Sequence, residues 1–330
     1  YETFLAAAQA KVEELDDSSG SFGQFVGDLY CAWIKARQAA GASPDETAAR
    51  LLSWMDDDDY GFCYELEKDA AKAFDRAGLT AFVARVRARF AATAKADRKT
   101  DSTFKDSPDY IRRRWGSVLR TLHAAQNDVS AYIALTEETG LTAQDCHAIA
   151  MLLVGRRKPE EALAWVKRGL DLEKQKSHGS MAGVDLVKLK RDLLTRLGRG
   201  DEALHAAWVD YRAHPSKYTY QDLMKYVPKA ERRTWHEKAI EAARGADLHS
   251  VLDLLLATKE LDRLADLVRQ TADNALEGLS HYTTEPVAEK LEKPHPHLAA
   301  RLWRAQGMRI INAGKSKYYA AALANFERAK

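Results

Sequence analysis

Six arginines stand out by type and spacing. Arg85, Arg87 and Arg89 fall in one expected helix, and Arg112, Arg113 and Arg114 fall in the next, on either side of the polar stretch 97–107. Guanidinium groups in such number suit phosphate contacts, with Tyr110 or Trp115 available to stack on a base. The competing reading is that the arginine stems cover apolar surface while their heads pair with local acids. Consecutive arginines on a helix also point around it rather than to one face. The discriminator is whether the six converge on one open face or pair off with carboxylates.

Other chemistry-bearing groups are sparse. The chain has no glycine-rich phosphate loop, nucleophile elbow or zinc-protease helix motif. His295 and His297 sit two apart beside prolines, and the nearest acids, Glu289 and Glu292, make a poor ligand set. Cys146 and His147 are adjacent, so on a helix their side chains diverge, and Cys146 reads as a small core residue. The acidic run Asp56 to Asp59 reads as a turn whose last member caps the next helix. Its ligands are not in register for an EF-hand loop. The expectation is a non-enzymatic chain with no cofactor and no metal.

The elements that position these residues are helices. The stretch GRRKPEEALAWVKRGLDL, Gly155 to Leu172, organises the rest. Pro159 suits a first helical turn, where its missing N–H is unpaired in any case. Glu160 and Glu161 follow at the positive end of the helix dipole. Leu163, Val166 and Leu170 form an apolar stripe. Ala162, Trp165 and Gly169 run beside it, the small members letting a neighbouring helix approach. A similar pattern returns at 198–211, near Leu264 and near Ala322. Taking Ala162, Ala203, Leu264 and Ala322 as equivalent, the offsets are 41, 61 and 58 residues. That is no strict period. It predicts an all-α protein, an α-solenoid of irregular tetratricopeptide-like helix pairs.

Strand signals are nearly absent, while helical spacing is almost continuous. Ser43, Pro44 and Glu46 spell a helix start with a capping box. A helix pair hinged at Gly78 is expected across 62–96. The polar stretch 97–107 reads as a linker between an N-terminal helical segment, 1–97, and a repeat region, 108–330. A second flexible joint is expected at 175–183, and Pro294 with Pro296 breaks the chain near its end. The tryptophans Trp165, Trp208, Trp235 and Trp303 are spread one per helix, as packing anchors would be.

Composition narrows the partners. Of 330 residues, 46% are apolar and 30% charged, with a net charge of +2, so no overall field points to nucleic acid or membrane. No apolar run approaches the roughly 20 residues of a membrane span. The three cysteines, Cys31, Cys63 and Cys146, lie far apart and fit a reducing, cytoplasmic setting. The chain starts and stops inside expected helices, as a piece of a longer protein would.

Three stretches carry a family resemblance. DDSSGSFGQFVGDLYCAWIKA (Asp16 to Ala36), DYIRRRWGSVLRTLHAAQNDVSAYIALTEETGLTAQDCHAIAMLLVGRRKPEEALAWVKRGLDL (Asp109 to Leu172) and HPHLAARLWRAQGMRIINAGKSKYYAAALANFERA (His297 to Ala329) resemble the helical region after the zinc finger of bacterial SWIM zinc-finger proteins. That family's finger uses a Cys-x-Cys pair and a later Cys-x-His. This chain has neither, so no zinc ligand is carried over, and the resemblance implies a finger that lies upstream of Tyr1 or is missing. The resemblance implies a helical part of a larger bacterial protein. The expected role is protein–protein scaffolding for an unidentified partner or peptide, with nucleic-acid binding through the six arginines as the alternative.

Overall fold

Helices begin where the sequence places caps. The Ser43 hydroxyl accepts from the Glu46 N–H, and Pro44 takes the first helical position. Asp128 accepts from the Ala131 N–H. Thr142 and Asp145 form a reciprocal capping box, at 3.1 Å from the Asp145 N–H to Thr142 Oγ1 and 3.0 Å from the Thr142 N–H to Asp145 Oδ2. The computed structural model describes residues 1–11, 19–58, 63, 65–93, 108–175 and 180–330. Among them are nineteen α-helices and no strand, so the protein is all-α.

The chain divides into two compact units, Tyr1–Leu193 and Leu194–Lys330. The first holds α1 (Glu2–Lys11), α2 (Ser21–Ala39), α3 (Pro44–Asp56), α4 (Leu66–Ala73), α5 (Arg76–Thr93), α6 (Pro108–Ala125), α7 (Val129–Thr139), α8 (Ala143–Gly155), α9 (Pro159–Lys174) and most of α10 (Met181–Arg196). From α5 to α9 each helix packs on the next in sequence, as in a helical repeat. Earlier the order is skipped: α2 packs on α4, α3 on α5 and α4 on α6. The repeat expectation therefore describes the second half of this unit better than the first. The buried core of α1 to α6 contains Ile34, Leu51, Met55, Phe82, Phe90 and Trp115. Each such side chain contributes about 1.5–3 kcal/mol on leaving water.

The second unit holds α11 (Gly200–Ala213), α12 (Lys217–Tyr226), α13 (Arg232–Ala242), α14 (Leu248–Thr258), α15 (Leu261–Gln270), α16 (Asp273–Gly278), α17 (His281–Leu291), α18 (Pro296–Asn312) and α19 (Tyr319–Arg328). Its core gathers Tyr211, Leu223, Leu264, Val287, Leu302 and Trp303. The four positions taken as equivalent, Ala162, Ala203, Leu264 and Ala322, are all buried on their helices.

Two sequence expectations change. The break expected at Gly78 lies at Phe74, whose extended backbone ends α4. Gly78 is inside α5, and a Cβ there would sit 2.4 Å from the Phe74 ring, so packing requires the glycine. Residues 273–290, without an assigned helix in the sequence reading, carry α16 and α17. Pro286 in α17 interrupts the pattern without ending the helix. The expected linker 97–107 lies outside the described residues, as do Asp59 of the acidic run and residues 176–179 of the second joint. The helices flanking 97–107, α5 and α6, pack on one another within the first unit.

Candidate functional site

Helix α5 presents three faces. Phe82, Val86 and Phe90 point into the core. Arg85 and Arg89 turn toward α3, where Arg85 Nε meets Asp45 Oδ1 at 2.8 Å and Arg89 Nε meets both Asp56 oxygens at 3.0 and 3.1 Å. The Arg85 guanidinium holds the Asp45 carboxyl below the usual carboxylate range. The third face, Arg76, Thr80, Val83, Ala84 and Arg87, borders an open groove of about 960 Å³.

Across that groove stands α7, with Ala131, Ala134, Leu135 and Glu138. Both helices line it at helical spacing, so one stripe of each forms a wall. The two walls run in the same direction: Arg87 pairs with Glu138 toward their C-terminal ends, while Arg76 and Asp128 line the groove at the other. Helix α6 packs against both. Its last turn supplies His123 and Ala125 to the lining, Gln126 follows just after it, and Arg156 lines the groove from the residue after α8. Short alanine side chains on the walls leave the space open.

His123 is 7% exposed, and its Nδ1 has no hydrogen-bond partner. A buried polar atom left unpaired costs about 1–3 kcal/mol, so such atoms are uncommon in folded proteins. Burial pushes the imidazole pKa below its ordinary value. Asp128 acts the opposite way and Arg87 adds to the burial effect. The ring is therefore neutral at pH 7.

The six arginines singled out by sequence do not form one open face. Arg85, Arg87 and Arg89 each pair with a carboxylate. Arg112 lies over the Phe90 ring and donates to the Glu138 carbonyl at 3.4 Å. Arg113 Nε donates to the Asp109 carbonyl of its own helix at 3.2 Å. Arg114 donates to the Met55 carbonyl and covers Trp115. Only Arg87 and Arg112 meet, at Glu138, and only Arg87 lines the groove. The sequence reading did not single out the groove or His123. Its signal was the run of small residues Ala131 and Ala134 on α7, three apart like those of an ordinary packing face.

Elsewhere, polar side chains link helices to one another. Tyr220 O meets His236 Nδ1 at 2.8 Å, and His236 Nε2 meets Glu260 at 3.0 Å. This resembles a catalytic relay in outline. Burial, followed by the nearby Glu260 charge, raises the Tyr220 pKa, so its hydroxyl keeps its proton. The chain of bonds ties α12 and α13 to the residue before α15. Cys146 is fully buried, and burial pushes its thiol up to about 11, which suits the packing role read from sequence. The His295 and His297 rings stand 6.4 Å apart. Among the described residues, no group of three or more His, Cys, Asp or Glu is placed to hold a metal ion, and no helix is long and apolar enough to cross a membrane.

A family described as a family of unknown function, DUF6880, matches residues 2–330. The chain belongs to that family. No curated protein and no solved structure matches it. In this DUF6880 chain the matched region takes in both units, including α5, α6 and α7 around the groove.

Proposed function

We propose that this chain is a non-enzymatic scaffold that takes a segment of a partner protein into the groove between α5 and α7. The observation that carries the reading is an open groove walled by alanines of α5 and α7 and bordered by charged side chains. Partner-binding grooves combine an apolar floor with a few polar groups awaiting a counterpart. Helical repeats commonly use the surface between successive helices in this way. The similarity to the helical region of SWIM zinc-finger proteins fits the same role, as part of a larger bacterial assembly. The pairing of Arg85, Arg87 and Arg89 with acids weighs against the alternative, phosphate binding through the arginine clusters.

The test is a selection of random dodecapeptides on the intact 330-residue chain. Recovered peptides are then measured against Ala134→Trp, which fills the groove from an exposed position. Loss of binding to that variant is expected. Peptides that bind it as well as the parent would remove the groove from the function.

A further inference from the structure

We infer that the occupant of the α5/α7 groove is an acidic peptide segment: a carboxylate side chain seated at the Arg76/Arg156 end, followed by apolar side chains along the alanine walls. The inference rests on the proposed partner-binding role and adds the chemistry of the partner.

Charge bookkeeping within the groove supplies the first argument. Arg87 and Glu138 satisfy each other. Asp128 caps α7 through the Ala131 N–H. The Arg76 guanidinium makes no ion pair among the described residues. Arg156 donates only to neutral oxygens of Asn127, the side-chain one at 3.3 Å and the backbone carbonyl. Two cations without a carboxylate ion pair therefore line the groove at that end, beside the single Asp128 carboxylate. A planar guanidinium fork matches a carboxylate, so one acidic side chain placed there would gain partners that the free protein lacks.

The second argument is shape and surface. From Arg76 to Arg87 the wall spans eleven helical steps, about 16 Å at the α-helical rise. An extended segment of about five residues covers that length. Beyond the charged end the lining is Val83, Ala84, Ala131, Ala134 and Leu135, a surface for aliphatic side chains. Nucleic acid shares the negative charge, but among the described residues the groove lining has no aromatic ring apart from the His123 imidazole on which a base could stack.

The experiment synthesises the peptides recovered in the selection and titrates them into the intact chain and into Arg76→Glu, Arg156→Glu and Arg76→Lys. Arg76 and Arg156 are exposed, and circular dichroism would check that the variants keep the parent fold. The expected peptides carry Asp or Glu beside aliphatic residues. Each charge reversal should weaken them roughly tenfold or more, more steeply at low salt, with Arg76→Lys, which keeps the charge but loses the fork, weakening them less than Arg76→Glu. Neutral or basic peptides that lose binding to Ala134→Trp would overturn the acidic partner while leaving the docking groove in place. Peptides indifferent to Ala134→Trp would overturn both. A single-stranded oligonucleotide that displaces the peptides at lower concentration than they bind would overturn the peptide in favour of nucleic acid.

Discussion

Gly169 of α9 lies against Cys146 of α8 so closely that a Cβ on the glycine would sit 2.7 Å from the Cys146 Cβ, and 2.7 Å from Leu186 Cδ1 of α10. The helix is held between two neighbours at the one position where its own side chain is missing. Elsewhere in a helix, Gly→Ala stabilises by about 0.5–1 kcal/mol through backbone entropy. Here overpacking, at roughly 1–3 kcal/mol, outweighs that gain. Gly169→Ala should therefore lower the urea midpoint. A midpoint equal to or above the parent's would show that α8 and α10 can draw back without loss.

That contact was legible in the sequence because periodicity and residue size together specify it. Ala162 and Gly169 share a stripe with Trp165, and small residues on a helical stripe admit a second helix. The Ser43 and Pro44 start was legible for a similar reason: its cap is local, so no distant residue is needed to find it. What escaped was decided by long-range partners. Arg89 and Asp56 are thirty-three residues apart, so the sequence shows a basic cluster and an acidic run with no sign that they meet. The groove escaped because Ala84 and Ala134 look like any packing alanines until their helices are seen to flank α6 without covering each other. Helix α17, which carries Pro286 in its interior, has no assignment in the sequence reading.

Asp145 should be among the least replaceable side chains of the first unit. It is 2% exposed, accepts from Arg120 Nε at 2.6 Å and from the Tyr132 hydroxyl at 3.2 Å, and takes the Thr142 N–H and hydroxyl as well. It thus fastens α6, α7 and the start of α8. Asp145→Ala leaves the Arg120 charge half-buried without its carboxylate and removes a cap, so a loss of about 3–5 kcal/mol is expected. Chemical denaturation would check it. A loss under about 1 kcal/mol, the range of an exposed pair, would mean the network is solvated in solution.

Glu67 gives the fold a pH dependence of known sign. It is buried in the first turn of α4, and burial raises its pKa, only partly opposed by its own backbone N–H. Below the ordinary glutamate range both folded and unfolded chains hold the proton, so this group adds no pH dependence. As pH climbs through that range the unfolded chain ionises first, and stability falls until the raised folded pKa is passed. Glu67→Gln removes that penalty. The variant should melt above the parent at pH 7, and the difference should shrink as pH is lowered toward 4. A difference independent of pH would assign the change to packing alone.

The arginine pairs make a prediction about nucleic acid. Releasing counterions from phosphates requires cations that are not already neutralised, and Arg85, Arg87 and Arg89 face Asp45, Glu138 and Asp56. Each would have to abandon a carboxylate to reach a phosphate. Arg113 and Arg114 donate to backbone carbonyls and keep their charge, yet they occupy different surroundings, against Asp109 and Met55. A fluorescently labelled duplex at physiological salt should therefore show no saturation at protein concentrations below about 0.1 mM, the weak edge of ordinary non-specific binding. Saturation in the micromolar range, with a steep salt slope that Arg113→Glu flattens, would restore the phosphate reading. Binding that Arg76→Glu alone abolishes would instead assign the nucleic acid to the groove.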